Sequence, residues 1–180
     1  MSYQSFEQVL QKCHTEEKEF WRVILEDDMA ERNVSEEDSM EHMRATWDAM
    51  LLAAATYEGN LSSSSGLVGG DGRRMEEYIR SAQPQSLCGE YVDTCIAGAL
   101  QMGESNACMK RIVAAPTAGA CGVLPAVLVP YFQKRCKDTD KILKAMYVAA
   151  GIGQIIATRS SISGAAGGCQ AEIGAASSRA

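Results

Sequence analysis

Apolar side chains recur at helical spacing along most of the chain. Residues 5–30 carry them three or four positions apart on one face, opposite an acidic face, which predicts one long first helix. Ser35 and Asp38 have the spacing of a capping box, and methionine, tryptophan and leucine then repeat at helical spacing as far as Ala54. Residues 1–57 are therefore predicted to form two amphipathic helices.

Three further segments show the same kind of pattern. They run from Asp71 to about Ser81, over residues 86–102, and from about Asp138 to Thr158. Alternation typical of strands never extends beyond a few residues, and the β-branched residues stand among alanines that favour helix. We therefore predict an all-α fold: a single helical domain with Gly/Ala-rich helices and Gly/Ser-rich active-site loops.

The central segment Ile112–Gln133 contains no charged residue. Its length passes the threshold for a transmembrane helix, but its three prolines and two glycines would leave backbone groups unpaired in lipid. We therefore predict that it does not span a membrane. Pro116, Gly119 and Gly122 break its first part, whereas residues 123–132 predict a short helix. A buried loop that leads into this helix is expected.

The composition is typical of a globular protein with reduced cysteines. Its 180 residues are 46 % hydrophobic, which is enough for one domain with a substantial core. Residues 1–50 carry thirteen acidic and five basic side chains, and no basic face elsewhere is concentrated enough to bind nucleic acid. The N-terminus has no signal-peptide pattern, so the seven cysteines are expected to be reduced thiols in a cytoplasmic protein, most of them packed in the core.

Two of the cysteines lie in turns of small residues. Cys121 follows Gly119 and precedes the helix predicted over residues 123–132, and Cys169 follows two glycines at the start of another short helix. A helix N-terminus favours the thiolate, and small neighbours let a metal or a ligand approach. Only three charged residues stand in the segment Met146–Ala180, so it is expected to be buried. Both turns could bring a thiolate to one point.

Serine and glycine dominate the segment Leu61–Met75. Their hydroxyl and backbone N–H groups can form a concave nest that binds a carboxylate or a phosphate. A flexible linker is the alternative interpretation. Leu67 and Val68 interrupt the segment and Asp71 begins a helix, which favours a fixed loop.

Four motifs identify a related family. They are Ala114-Ala-Pro-Thr-Ala-Gly-Ala-Cys-Gly-Val-Leu-Pro-Ala, Ser163-Gly-Ala-Ala-Gly-Gly-Cys-Gln-Ala-Glu-Ile-Gly-Ala-Ala-Ser, Ser65-Gly-Leu-Val-Gly-Gly-Asp, and Glu104-Ser-Asn-Ala through Lys110-Arg-Ile-Val. Together they resemble the alpha chain of bacterial iron–sulfur L-serine dehydratases, from about residue 55 to the end. The resemblance implies that residues 1–180 form an alpha-chain catalytic domain, in which the acidic helices of residues 1–57 precede a site-bearing core at 58–180.

The resemblance implies an enzyme that deaminates L-serine to pyruvate and ammonia without pyridoxal phosphate. Its cofactor is a [4Fe–4S] cluster held by three thiolates, whose open iron binds the serine hydroxyl as a Lewis acid while a base removes the α-proton. Carried over by position, the implied site residues are Cys121 and Cys169 as metal ligands, Thr117, Ala118 and Gly119 in the serine-binding loop, and Ser65 and Gly66 at the substrate carboxylate.

The resemblance leaves the third cluster ligand and the catalytic base open. Single-chain relatives have a cysteine eight residues after the second ligand, where this chain has Ser177, and Cys88, Cys95 or Cys136 could take its place. No histidine lies near the motifs. The implied partners are a beta chain, a second copy of this chain, or both. Family alpha chains continue as alanine-rich helix where this sequence stops at Ala180, so we expect a truncated chain.

Other hypotheses remain open. A pyridoxal-phosphate dehydratase could bind its phosphate at the Ser/Gly loop, but no lysine within an α/β pattern marks a Schiff base. A non-catalytic helical assembly module, or an inactive fragment that needs a partner chain, would use the cysteines as core and the methionines as an interface. A structural zinc domain is disfavoured, because no two cysteines lie two to four residues apart.

Overall fold

A computed structural model describes residues 3–82 and 86–180 of the chain. All regular secondary structure in these ranges is helical, which confirms the predicted all-α fold. The helices are α1 Phe6–Thr15, α2 Phe20–Arg32, α3 Glu36–Ala55, α4 Asp71–Ala82, α5 Glu90–Ala107, α6 Val123–Tyr131, α7 Thr139–Arg159 and α8 Gly164–Ser177, with a 3-10 turn at Ala118–Ala120 and a π-helical segment at Phe132–Cys136.

The chain divides into two compact units. The first comprises Met1–Trp47 and Asp138–Ala180, and the second comprises Asp48–Lys137. The first unit therefore contains α1, α2, α7 and α8, the second contains α4, α5 and α6, and the division falls within α3. The prediction of one catalytic domain over residues 1–180, with an acidic part up to residue 57, stays a prediction.

The long first helix predicted over residues 5–30 is wrong, because the structure has two helices there. Glu17 takes a left-handed conformation with φ 52°, and the chain turns between α1 and α2. The turn lets the apolar faces of both helices pack together in one cluster. Its fully buried members are Val9, Val23, Ile24, Leu25, Tyr147 and Ile155. Apolar spacing continues in phase across the break, so the periodicity alone did not reveal it.

The predicted capping box at the start of α3 is confirmed. The backbone N–H of Asp38 donates to Ser35 Oγ at 3.1 Å, and the backbone N–H of Ser35 donates to Asp38 Oδ2 at 3.2 Å. Ser39 directly follows Asp38. Its Oγ donates to Asp28 Oδ2 at 2.6 Å and lies 2.7 Å from the Tyr147 hydroxyl. This buried pair connects α3 to α7 within the first unit.

In the second unit, α5 packs against both α4 and α6. A Cβ atom on Gly122, just before α6, would lie 3.0 Å from the carbonyl oxygen of Ala99, so the start of α6 lies directly on α5. The helix predicted over residues 86–102 is shifted, because α5 begins after Gly89, whose φ is 79°, and continues to Ala107. Cys88 therefore precedes the helix and does not share a helical face with Cys95.

The central and C-terminal segments, which carry few or no charges, behave differently from each other. The predicted short helix forms as α6, and the helix predicted from Asp138 to Thr158 forms as α7. The expected burial of Met146–Ala180 holds for part of the segment: Met146, Tyr147 and Ile155 in α7 and Ala175 and Ala176 in α8 are buried. It is wrong for residues 165–170, which are exposed and whose side chains are small. Among the described residues, none of the helices combines the length and the apolar character that crossing a bilayer requires.

Candidate functional site

The Ser/Gly segment folds into a closed turn in the second unit. The N–H of Ser63 donates to Val68 O at 2.8 Å, the N–H of Val68 donates to Ser63 Oγ at 3.1 Å, and the N–H of Gly66 donates to Ser63 O at 2.9 Å. A Cβ atom on Gly69 would lie 2.2 Å from the carbonyl oxygen of Leu61. These bonds and this close backbone approach favour the fixed loop over the flexible linker.

Ser65 and Gly66 lie exposed at the tip of this loop. Ser65 Oγ is 3.1 Å from Ser63 Oγ and accepts from the N–H of Leu67 at 3.4 Å. Two neighbouring hydroxyls share one hydrogen bond, so one hydroxyl proton of the pair is left to donate outward. Gly66 has φ 71°, and nothing lies within 4 Å of the position of a Cβ atom there. The tip can therefore approach an anionic ligand closely.

The loop ends at a buried carboxylate that sequence reasoning did not identify. Glu104 in α5 is 3 % exposed, and its Oε1 accepts the N–H of Asp71 at 2.5 Å and that of Gly72 at 3.1 Å. Its Oε2 accepts the Tyr57 hydroxyl at 2.6 Å. The first N–H groups of a helix have no intrahelical partner, so Glu104 caps the N-terminus of α4 from another helix.

Electrostatics keep this carboxylate charged. Burial raises the pKa of Glu104, but hydrogen bonds from the Tyr57 hydroxyl and from backbone N–H groups at the start of α4 outweigh that effect and hold the pKa below its usual value. Burial and the Glu104 carboxylate together raise the pKa of Tyr57 well above its usual value. Tyr57 therefore stays a hydrogen-bond donor and Glu104 an ionised acceptor at neutral pH.

The loop before Cys121 is attached two residues further along the same helix, at Asn106. Asn106 Nδ2 donates to the carbonyl oxygen of Ala118 at 3.0 Å. The same oxygen accepts the backbone N–H of Cys121 at 3.2 Å, which closes the 3-10 turn. Ala118 and Gly119 are exposed, and Thr117 is half-buried. The Ala115–Pro116 peptide bond is cis.

Cys121 itself is closed off from solvent. Its side chain is 1 % exposed and its thiol lies 3.8 Å from the carbonyl oxygen of Met102, to which it donates. Burial raises the pKa of the Cys121 thiol. The predicted small-residue turn at the start of a helix is present, but in this structure it encloses a protonated thiol.

Cys169 lies in the first unit and is exposed. Gly168, with φ 77° and ψ 168°, interrupts α8, and Cys169 begins the helical segment after this kink, as its sequence position predicts. The structure thus places the two predicted substrate loops and Cys121 in the second unit, and Cys169 in the first.

The candidates for a third cluster ligand differ in exposure and do not all belong to the same unit. Cys88 is exposed, Cys95 and Cys136 are half-buried, and Ser177 is exposed in the last turn of α8. Within residues 3–82 and 86–180, no three His, Cys, Asp or Glu side chains form a group that could hold a metal ion.

Comparison with known proteins decides the family. The sequence model described as "Serine dehydratase alpha chain" matches residues 15–180. The chain belongs to the serine dehydratase alpha-chain family. The match also includes most of the acidic N-terminal helices, where the motifs gave no specific resemblance. No solved structure matches the chain.

Members of the serine dehydratase alpha-chain family from several bacteria are similar to this chain. The probable L-serine dehydratase alpha chain of Bacillus subtilis is 35 % identical over 86 % of this chain and 51 % of its own length. The L-serine dehydratase alpha chain of Peptoniphilus asaccharolyticus is 33 % identical over 96 % of this chain and 59 % of its own. The L-serine dehydratase of Haemophilus influenzae is 32 % identical over 99 % and 40 %. The chain spans about half the length of the curated relatives it matches.

The sequence did contain a signal for the residues that were missed. Glu104 is the only charged residue between Asp93 and Lys110, in a stretch whose other side chains are apolar, small or neutral. A lone acid in such surroundings is buried with the helix and needs hydrogen-bond donors. Its hydrogen-bond donors are the Tyr57 hydroxyl and the first N–H groups of α4. Hydrophobic periodicity along the chain does not show that these groups lie beside Glu104 in the fold.

The second unit also contains a cavity of about 450 Å³ between α4, α5 and α6. Small and apolar side chains such as Ala97, Gly98 and Ala126 form much of its lining. None of the predicted substrate-binding or metal-ligating residues lines it. The candidate substrate loops thus lie outside this cavity.

Proposed function

We propose that the chain takes part, in the cytoplasm, in the deamination of L-serine to pyruvate and ammonia. The observation that carries the proposal is the family match over residues 15–180. The three relatives compared above are named L-serine dehydratases. Because this chain spans about half their length, the activity is proposed for the complete enzyme that contains it.

In this proposal the substrate binds at the loops of the second unit. The hydroxyl pair of Ser63 and Ser65 donates its remaining proton to the carboxylate of L-serine, and Gly66 lets the substrate come close to the backbone. Residues 117–119 form the other side of the site. A charge-assisted hydrogen bond of this kind is among the stronger ones that a hydroxyl makes.

The reaction removes the α-proton and the hydroxyl group of L-serine, which leave together as water. The resulting enamine tautomerises to an imine, and hydrolysis of the imine releases ammonia and pyruvate. Residues 48–137 contain no histidine. The base that takes the α-proton is therefore a side chain of another type or belongs to another part of the enzyme.

The cofactor of this proposal is a [4Fe–4S] cluster, with Cys121 and Cys169 as ligands. Its support is the resemblance of both cysteine motifs to the family and the affinity of thiolates for iron–sulfur clusters. A third ligand is required in addition, and the Cys121 thiol must lose its proton to bind iron. Iron uptake by cysteine variants tests this assignment.

The proposed partners are a beta chain, a second copy of this chain, or both. The relatives from Bacillus subtilis and Peptoniphilus asaccharolyticus carry the words "alpha chain" in their names, which supports a second type of chain in the enzyme. Sedimentation of this chain alone and mixed with a beta chain distinguishes the two kinds of assembly.

Replacing Ser65 tests the substrate site. For Ser65→Ala in the complete enzyme, we expect KM for L-serine to rise roughly tenfold or more, because a hydrogen bond to a charged group is lost. The measurement is the initial rate of pyruvate formation against L-serine concentration. Ser81→Ala is the matched control, since the Ser81 hydroxyl donates to Tyr78 O within α4 and should leave KM unchanged. An unchanged KM for Ser65→Ala contradicts the proposed site.

A further inference from the structure

The C-terminal end of α5 holds both loops that the proposed function uses. Glu104 binds the end of the Ser/Gly loop, and Asn106 binds the loop before Cys121. We propose that Glu104 and Asn106 are positioning residues, which fix the two loops to one helix so that L-serine meets a preformed site. This inference rests on the proposed function, from which it takes the role of the loops.

Glu104 fixes the Ser/Gly loop through the first turn of α4. Asp71 and Gly72, whose N–H groups bind its carboxylate, follow directly after Gly69 and Gly70, whose φ values are 148° and 86°. The loop therefore passes straight into the capped helix without a flexible spacer. A carboxylate at this position is stabilised by the helix N-terminus as well as by the individual bonds.

Close packing leaves α4 little freedom to move while this cap is in place. A Cβ atom on Gly72 would lie 2.7 Å from Gln101 Cγ and 2.8 Å from the Tyr57 hydroxyl oxygen. The start of α4 thus contacts α5 directly, and Tyr57 holds the other oxygen of Glu104. Loss of the carboxylate would release three donors at once.

Asn106 fixes the second loop through a shared carbonyl. The oxygen of Ala118 accepts both the Asn106 amide and the backbone N–H of Cys121. The amide therefore holds the turn that sets the backbone direction at Cys121. Only one residue separates Asn106 from Glu104, so both loops are attached within a single turn of α5.

A positioning role and a purely structural role have different kinetic effects. If Glu104 keeps the loops in the binding-competent arrangement, its loss lowers the fraction of competent molecules and raises the apparent dissociation constant by the same factor. KM then rises while kcat stays similar. Loss of a residue needed only for folding lowers the amount of active enzyme. The apparent kcat then falls, while KM stays unchanged.

Glu104→Gln is the decisive variant. The amide keeps the shape, but its NH₂ group faces donors and the charge is lost. Glu77→Gln is the matched control, because Glu77 is exposed on α4 and pairs with Arg73. Hydrogen exchange is measured by mass spectrometry on each full chain, with and without L-serine. KM and kcat are measured in the complete enzyme.

We expect exchange over residues 61–72 to accelerate roughly tenfold or more in Glu104→Gln, since bonds to a charged group are lost. Exchange in α2 and α7 should stay unchanged, which shows that the variant is folded. L-Serine should slow exchange at the loops of the wild type and of Glu77→Gln, but much less in Glu104→Gln. KM should rise roughly tenfold, with kcat within about twofold.

Other outcomes overturn the inference. Unchanged exchange over residues 61–72 would show that Glu104 does not hold the loop, and faster exchange with an unchanged KM would show that the loop does not position substrate. If Glu104→Gln fails to fold, Asn106→Ala and Tyr57→Phe, which each remove one hydrogen bond, are measured instead. They should show smaller increases in loop exchange and in KM, and the absence of both increases would overturn the inference. Failure of the proposed function gives a separate result, in which the wild type forms no pyruvate. The effect of L-serine on hydrogen exchange in the wild type and in Glu104→Gln then still decides the role of Glu104.

Discussion

At the scale of single residues, the cysteines differ in how readily they can bind a metal. Cys169 is exposed, whereas the Cys121 thiol is buried and donates to Met102 O. Burial raises the pKa of Cys121, so its thiolate forms less readily at neutral pH than that of a free cysteine. Iron must displace this proton, and binding should therefore become easier as pH rises.

Iron uptake tests the two ligands. After anaerobic reconstitution with iron and sulfide, we expect the wild type to bind about four irons per chain and both Cys121→Ala and Cys169→Ala to bind far fewer. Uptake by the wild type should increase between neutral and mildly alkaline pH. Cys108→Ala is the control, because Cys108 has no proposed ligand role. Wild-type levels of iron in either ligand variant would remove that cysteine from the proposed site.

At the scale of helices, close contacts between backbones explain several glycines. A Cβ atom on Gly151 in α7 would lie 2.6 Å from the buried Ile24 side chain and 3.0 Å from Phe20 in α2. Gly103 in α5 has nothing within 4 Å of a Cβ position. The same substitution should therefore have opposite effects at the two sites.

Urea denaturation measures this difference. Gly151→Ala should lower the free energy of unfolding by about 1–3 kcal/mol, because the added methyl group forces Ile24 to move. Gly103→Ala should leave it unchanged or raise it by about 0.5–1 kcal/mol, because alanine favours an exposed helical position. Equal effects of the two substitutions would contradict the close packing of α2 on α7.

The sequence predicted the helices better than their ends and contacts. The capping box at Ser35, the start of α4 at Asp71 and the helix after Gly122 follow from local chemistry, and the structure has all three. The break at Glu17 did not disturb the apolar periodicity. The contact of Glu104 with Tyr57 joins residues 47 positions apart, which no local pattern encodes.

At the scale of the whole molecule, the proposed site residues are divided unequally between the two compact units. The predicted substrate residues, Cys121 and both positioning residues belong to the second unit, while Cys169 belongs to the first. Most of the acidic excess also lies in the first unit, because its residues 1–47 carry twelve acidic and five basic side chains. The family match includes parts of both units, from residue 15 to residue 180.

The central claim is that an enzyme containing this chain deaminates L-serine. The most direct measurement is product formation from L-serine by the complete iron-loaded enzyme that contains this chain, assayed anaerobically with and without a beta chain. We predict equal amounts of pyruvate and ammonia, and none when L-serine or the chain is left out. A folded, iron-loaded preparation that forms neither product, even with a beta chain present, would contradict the claim.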